Sequence, residues 1–231
     1  MRRRALLASA VLIPLTIAVT AACSGGPEAA PPAEAMKTAE QKLQSAEAVT
    51  IDLRADLPKG VNGVSRANGT GIIDEQEPKF KGQVTGVIKG NPAGVDLIAI
   101  DDRTWITFFT KEYTQIDIEE ELGAPNPAEL FRPSSGVATL LPATTNLKTG
   151  EQERNGQDIL QRYTGTLPAE PIQKLLMLGD DADSFDVTYG IDVGTGELRS
   201  VVITGEFYPG ESTTFTLNLS GYGKTVDIRT P

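Results

Sequence analysis

Asn126 to Ile172 reads NPAELFRPSSGVATLLPATTNLKTGEQERNGQDILQRYTGTLPAEPI, and this stretch contains both kinds of element the chain uses. Its first part, 125–145, holds two short helical pieces. Pro127 suits a helix start after Asn126, and Ser134 or Ser135 can cap the second piece. Their apolar residues are Leu130, Phe131, Val137, Leu140 and Leu141. Strand-like runs over 146–154 and 157–167 then flank Asn155-Gly156, a pair that favours a tight hairpin turn. Pro168 to Leu178 turns helical again, with Ile172, Leu175, Leu176 and Leu178 on one side and Lys174 outside.

Outward from that stretch, period-two alternation dominates. Ile51, Leu53, Ala55 and Leu57 share one strand face, with Thr50, Asp52, Arg54 and Asp56 on the other. Phe80, Val84 and Ile88 alternate against Lys79, Lys81, Gln83 and Lys89. Val95 to Ile100 is almost continuously apolar, and Asp101-Asp102 turns the chain into Trp105, Phe108 and Phe109. Further strands are expected at 113–118, 184–193, 197–207 and 212–220, with turns at Gly194-Thr195-Gly196 and Pro209-Gly210. Upstream, Met36, Ala39, Leu43 and Ala46 recur at helical spacing within Glu34–Ala48. Roughly eleven strands joined mostly by hairpins make an antiparallel sheet, and one that wide curls, closes or splits. The expected class is α+β; if the sheet curls into a half-barrel, the helices cover its concave side.

The N-terminus supplies the address. Arg2, Arg3 and Arg4 precede an apolar run from Ala5 to Val19, followed by Thr20-Ala21-Ala22-Cys23. A basic start, a short apolar core and small residues before a cut site form a secretory signal rather than a membrane span. Cys23 is the one cysteine, placed as in a bacterial lipobox, although Thr20 stands where Leu or Val is usual. The lipobox rule implies a diacylated thiol and cleavage before Cys23. An ordinary signal peptide with an incidental cysteine is the alternative, and twin-arginine export is a weaker one, lacking the flanking residues. The expected division is signal peptide 1–22, tether 23–33 (Gly, Pro and Ala rich) and one domain over 34–231.

The whole chain carries 21 basic and 31 acidic side chains. Removing the three arginines of the leader leaves 18 against 31, a formal charge of −13. Such a surface repels nucleic acid and anionic membrane alike. Attachment to a membrane then depends on lipid at Cys23, for which two acyl chains suffice where one is marginal. There is no histidine, which removes His-dependent nucleophiles and the commonest transition-metal ligand.

Three acidic clusters stand out: Asp101-Asp102, Glu119-Glu120-Glu121 and Asp180-Asp181-Asp183. Paired carboxylates can hydrolyse glycosides or hold a divalent cation. All three fall at turns or strand ends, where charge is solvated, and the last lacks the EF-hand spacing. No catalytic residue, metal ligand or cofactor is expected. The apolar residues either fill a solid core or line a hollow, and periodicity cannot separate the two. Small residues at Gly82, Gly86, Ala99, Gly165 and Gly205 would leave room.

The chain resembles the LprG/LppX lipoproteins of mycobacteria and their actinobacterial relatives. The resemblance opens at AEQKLQSAEAVTIDLRADLP, is densest over Asn126–Ile172 and ends with DVTYGIDVGTGELRSVVITGEF and TLNLSGYGKTVDI. It implies a strongly bent antiparallel sheet, a half-barrel wrapped around helices, as in the periplasmic lipoprotein carriers of Gram-negative bacteria. It implies a hydrophobic cavity for the acyl chains of lipids or glycolipids, and a monomeric carrier between membrane layers that sometimes works with a membrane lipid exporter. It fixes no catalytic residue. Alternation and helix spacing give the expected lining as Val84, Ile88, Leu97, Trp105, Phe109, Leu140, Leu141, Leu175 and Leu176. The competing expectation is an envelope docking module with no lipid ligand.

Overall fold

The structure, a computed structural model, describes residues 29–108 and 110–231. The signal peptide and Cys23 lie outside the described residues. The chain opens with α1 (Pro32–Gln44), whose Pro at the first turn, early Glu34 and late Lys42 suit helix ends. Ala35, Met36, Ala39 and Leu43 form its buried stripe. The helix stops at Ser45, earlier than its apolar spacing predicts, because Ala48 already pairs with Ile72 as the first residue of a strand.

Eleven strands follow: β1 (Ala48–Ala55), β2 (Gly63–Ile72), β3 (Lys79–Ile88), β4 (Asn91–Ile100), β5 (Arg103–Thr107), β6 (Tyr113–Ile116), β7 (Thr145–Asn155), β8 (Asp158–Pro168), β9 (Ser184–Asp192), β10 (Leu198–Tyr208) and β11 (Glu211–Ser220). They form one antiparallel sheet in the order β6-β5-β4-β3-β2-β1-β11-β10-β9-β8-β7. Pairing β1 with β11 joins two meanders at the middle and leaves β6 and β7 as open edges. The sheet is thus the expected bent, open one. Register shifts at Val64/Arg66, Leu198/Ser200 and Gly205/Tyr208 mark bulges, which increase twist and bend strands. The exposed edge β7 carries two more, together with Lys148, Glu151, Glu153 and Arg154; both devices discourage pairing with another chain.

Between β6 and β7 lie α2 (Ile118–Leu122), 3-10 turns at Glu129–Phe131 and Val137–Thr139, and α3 (Leu140–Ala143). Helix α4 (Ala169–Leu176) separates β8 from β9. Asp117 caps α2 by accepting from the N–H groups of Glu119 and Glu120. The cap expected from Ser134 or Ser135 is not made: Gly136 begins the second 3-10 turn without a side-chain cap. Ser134 is instead committed to Glu75 in the β2–β3 loop, through both its N–H and its hydroxyl.

The main core lies between the concave face of the sheet and these helical pieces. Val49 and Ile51 of β1, Leu97 of β4, Tyr189 of β9 and Leu219 of β11 meet Leu43 of α1, Leu141 of α3 and Ile172 of α4. A second, smaller cluster sits on the opposite face. There Ile98 and Ile100 are covered by Ile228 and Val226 of the extended C-terminal segment, with Ile72, Trp105 and Tyr113 alongside. This explains the unbroken apolar run of β4: the tail makes its outer face a second interior.

Candidate functional site

Most of the residues expected to line a cavity face the concave interior. Leu97, Leu140, Leu141 and Leu175 are buried in the main core, and the half-buried Val84 and Leu176 pack against it. Ile88 is half-buried, with the same parity as Val84, opposite Asn91 where β3 and β4 meet. Trp105 is a correction. It alternates with Thr104 and Ile106, pairs with Ile98, and lies on the convex face with the C-terminal segment. Phe109 lies outside the described residues.

The room expected beside small residues is also corrected. A Cβ on Gly82 would come 2.7 Å from the Phe80 ring, and one on Gly69 would do the same. A Cβ on Gly71 would overlap the ring of Phe131. At Gly205 it would sit 2.5 Å from Phe185, and at Gly165 2.5 Å from Thr144. At Gly86 it would collide with the carbonyl of Gly63. Ala99 is fully buried. The missing side chains therefore make space for rings and for close backbone approach. Phe80 and Phe131 stack at 5.6 Å with planes 8° apart. Phe207 bridges Phe185 at 4.4 Å and Phe215 at 4.5 Å. Such pairs contribute about 0.5–1.5 kcal/mol beyond their buried area.

Polar contacts fasten the helical cover to the sheet. Arg132 donates to Asp101 at 2.8 Å, to Glu129 at 2.6 Å and to the carbonyl of Glu75. Asn126 donates to the carbonyl of Asp101 at 2.6 Å and accepts from the Ala128 N–H at 3.0 Å. Hydrogen bonding to Glu129 raises the Arg132 pKa above its ordinary value, so it stays a cation throughout the working range. At the other side, Tyr189 of β9 and Thr144 after α3 share a buried hydrogen bond of 2.7 Å. Burial raises the Tyr189 phenol, and the bond to Thr144 opposes that only in part. Two further hydroxyls, Tyr208 Oη and Thr213 Oγ1, are buried with no partner.

Two open concavities on the described surface are polar. One of about 600 Å³ lies between the β4–β5 turn and α2, lined by Asp102, Arg103, Gln115, Asp117, Glu119 and Glu129 among others. Another of about 360 Å³ lies on the convex face, beside Arg54, Asp56, Thr214, Thr216 and Asn218. Of the acidic clusters, Asp101 is held by Arg132, while Asp102, Glu119 to Glu121, Asp180, Asp181 and Asp183 are exposed. Among the described residues, no group of three or more acidic, cysteine or histidine side chains could hold a metal ion. No helix of the described residues is long and apolar enough to cross a membrane.

Solved structures of the same fold exist. LprF from Mycobacterium bovis superposes with a TM-score of 0.74 at 12% identity, covering 89% of this chain and 99% of that one. The lipoprotein LppX from Mycobacterium tuberculosis gives 0.63 at 18% identity, covering 86% of this chain and 98% of that one. Among curated proteins, none matches the chain in sequence. The model of one protein family matches residues 31–228, nearly the whole described length, and the chain belongs to that family, the LppX_LprAFG lipoproteins.

Proposed function

We propose that this protein is a cell-envelope lipoprotein, anchored through lipid on Cys23 and facing the exterior, that binds the acyl chains of lipids or glycolipids and carries them between membrane layers. The observation that carries this reading is the apolar concave face under a cover built of separate short helical pieces. A 3-10 turn of three residues has few hydrogen bonds of its own and depends on its neighbours for position. A chain of sixteen carbons exposed to water costs on the order of 10 kcal/mol, and burial against the concave face removes most of that. Because rings, a threonine methyl and neighbouring backbone fill the space at the glycine positions, a ligand enters by displacing part of the cover. The binding needs no catalytic group. Delivery to or from a membrane lipid exporter fits the same role.

The rings at those glycines favour a second reading, an envelope docking module without a lipid ligand. Native mass spectrometry of the protein made in its own host separates the two. Co-purifying acylated species are expected; a clean apo mass after gentle handling would leave the docking module.

A further inference from the structure

Two of the buried, unpartnered hydroxyls sit at one end of the interior. Tyr208 closes β10 beside the Pro209-Gly210 turn, and Thr213 stands just inside β11, opposite Gly205. Thr213 shares its strand face with Phe215, Leu217 and Leu219, all of which pack in the main core. Tyr208 belongs to the same core, and its hydroxyl reaches across to Gly63 of β2, next to Leu57. Both residues are more than nine-tenths buried. The third such hydroxyl among the described residues, that of Thr104, lies apart on β5 near the β6 edge.

A buried hydroxyl without a partner has lost its hydration with no return, so in a native protein it calls for a water, an ion or a ligand atom. The residues around this end, Leu57, Phe207 and Phe215, offer side chains with no acceptor. We infer that Tyr208 and Thr213 form a polar station that donates hydrogen bonds to the ester carbonyl at the root of a bound acyl chain. This inference rests on the lipid-binding reading above. A carbonyl oxygen has two lone pairs and can accept from both hydroxyls. Burial raises the Tyr208 phenol, which keeps it a donor. The arrangement gives the interior a preference in an otherwise unspecific greasy site, because an ether oxygen is a weaker and more hindered acceptor than the ester carbonyl and does not serve both donors as well.

The test compares two probes of equal chain length, 1,2-dipalmitoylglycerol and its dihexadecyl ether analogue, titrated against the full chain. The ester should bind about tenfold more tightly than the ether. In the double variant Tyr208→Phe, Thr213→Val the two lipids should bind alike, with a melting temperature no lower than that of the unaltered protein. Equal binding of ester and ether by the unaltered protein overturns the station while leaving lipid binding intact. An ester preference that survives in the double variant overturns it too. If neither lipid binds, the station falls together with the function it depends on.

Discussion

The ring of Phe131 lies on the bare backbone of Gly71, where a methyl group would overlap its Cδ1, Cε1 and Cγ atoms. Phe131 belongs to the helical cover and Gly71 to β2, so the seating of the cover depends on the absence of a side chain. Gly71→Ala should therefore destabilise the fold by about 1–3 kcal/mol through overpacking. Urea unfolding reads this directly. An unchanged midpoint would mean the ring moves aside freely.

Arg132 is the main polar fastening of the same segment, reaching Asp101, Glu129 and the Glu75 carbonyl. Its side chain is only 19% exposed, so these bonds are partly shielded from water. Arg132→Ala should cost about 1–3 kcal/mol and raise amide exchange selectively over 129–139. Uniform exchange across the chain would show that the cover and the sheet open as one unit.

Asp74 gives the structure a dependence on acid. Its carboxylate accepts from the N–H groups of Gln76 and Glu77, both at 2.8 Å, and the bond from Glu77 does most to hold its pKa below the ordinary value. A depressed folded value means the stabilisation is complete above the ordinary aspartate range near 3.9 and is lost as pH falls through the lower folded value. Asp74→Ala should then lower stability at pH 7 more than at pH 2. An equal loss at both would show that charge has no part in the loop.

Trp105 reports on the C-terminal segment. It is the one tryptophan in the chain, and it lies beside the Ile98, Ile100 and Ile228 cluster on the convex face. Ile228 is 2% exposed. Ile228→Ala should cost about 2–5 kcal/mol and shift Trp105 emission to the red. Emission unchanged in the folded variant would place the tail elsewhere in solution.

Much of this architecture is legible in the sequence because half-buried antiparallel strands alternate and hairpin turns carry Asn-Gly or Pro-Gly. Ten strands fall in stretches marked by alternation, by an apolar run or by flanking turns. No strand is expected over β2, whose Ser65, Arg66, Asn68, Gly69, Thr70 and Gly71 show no apolar alternation. Gly69 and Gly71 are strand residues that lie beneath Phe80 and Phe131, a pressure from tertiary packing that no local pattern carries. Trp105 was legible as apolar but not as to face, since β4 beside it is apolar on both sides. Only the tail docking through Val226 and Ile228 reveals why. The leucines of α3 and α4 were legible as inward-facing from helical spacing. Tyr208 and Thr213 were not legible, because an unpartnered hydroxyl is a property of surroundings and not of residue type.

The central claim is that acyl chains lie against the concave face, under the helical cover. Photo-crosslinking with a diazirine-bearing palmitoyl lipid, followed by peptide mass mapping, tests it most directly. Labels are expected on inward residues such as Val84, Leu97, Leu140, Leu141 and Leu175. Labels confined to the convex face around Trp105, or none at all, would contradict it.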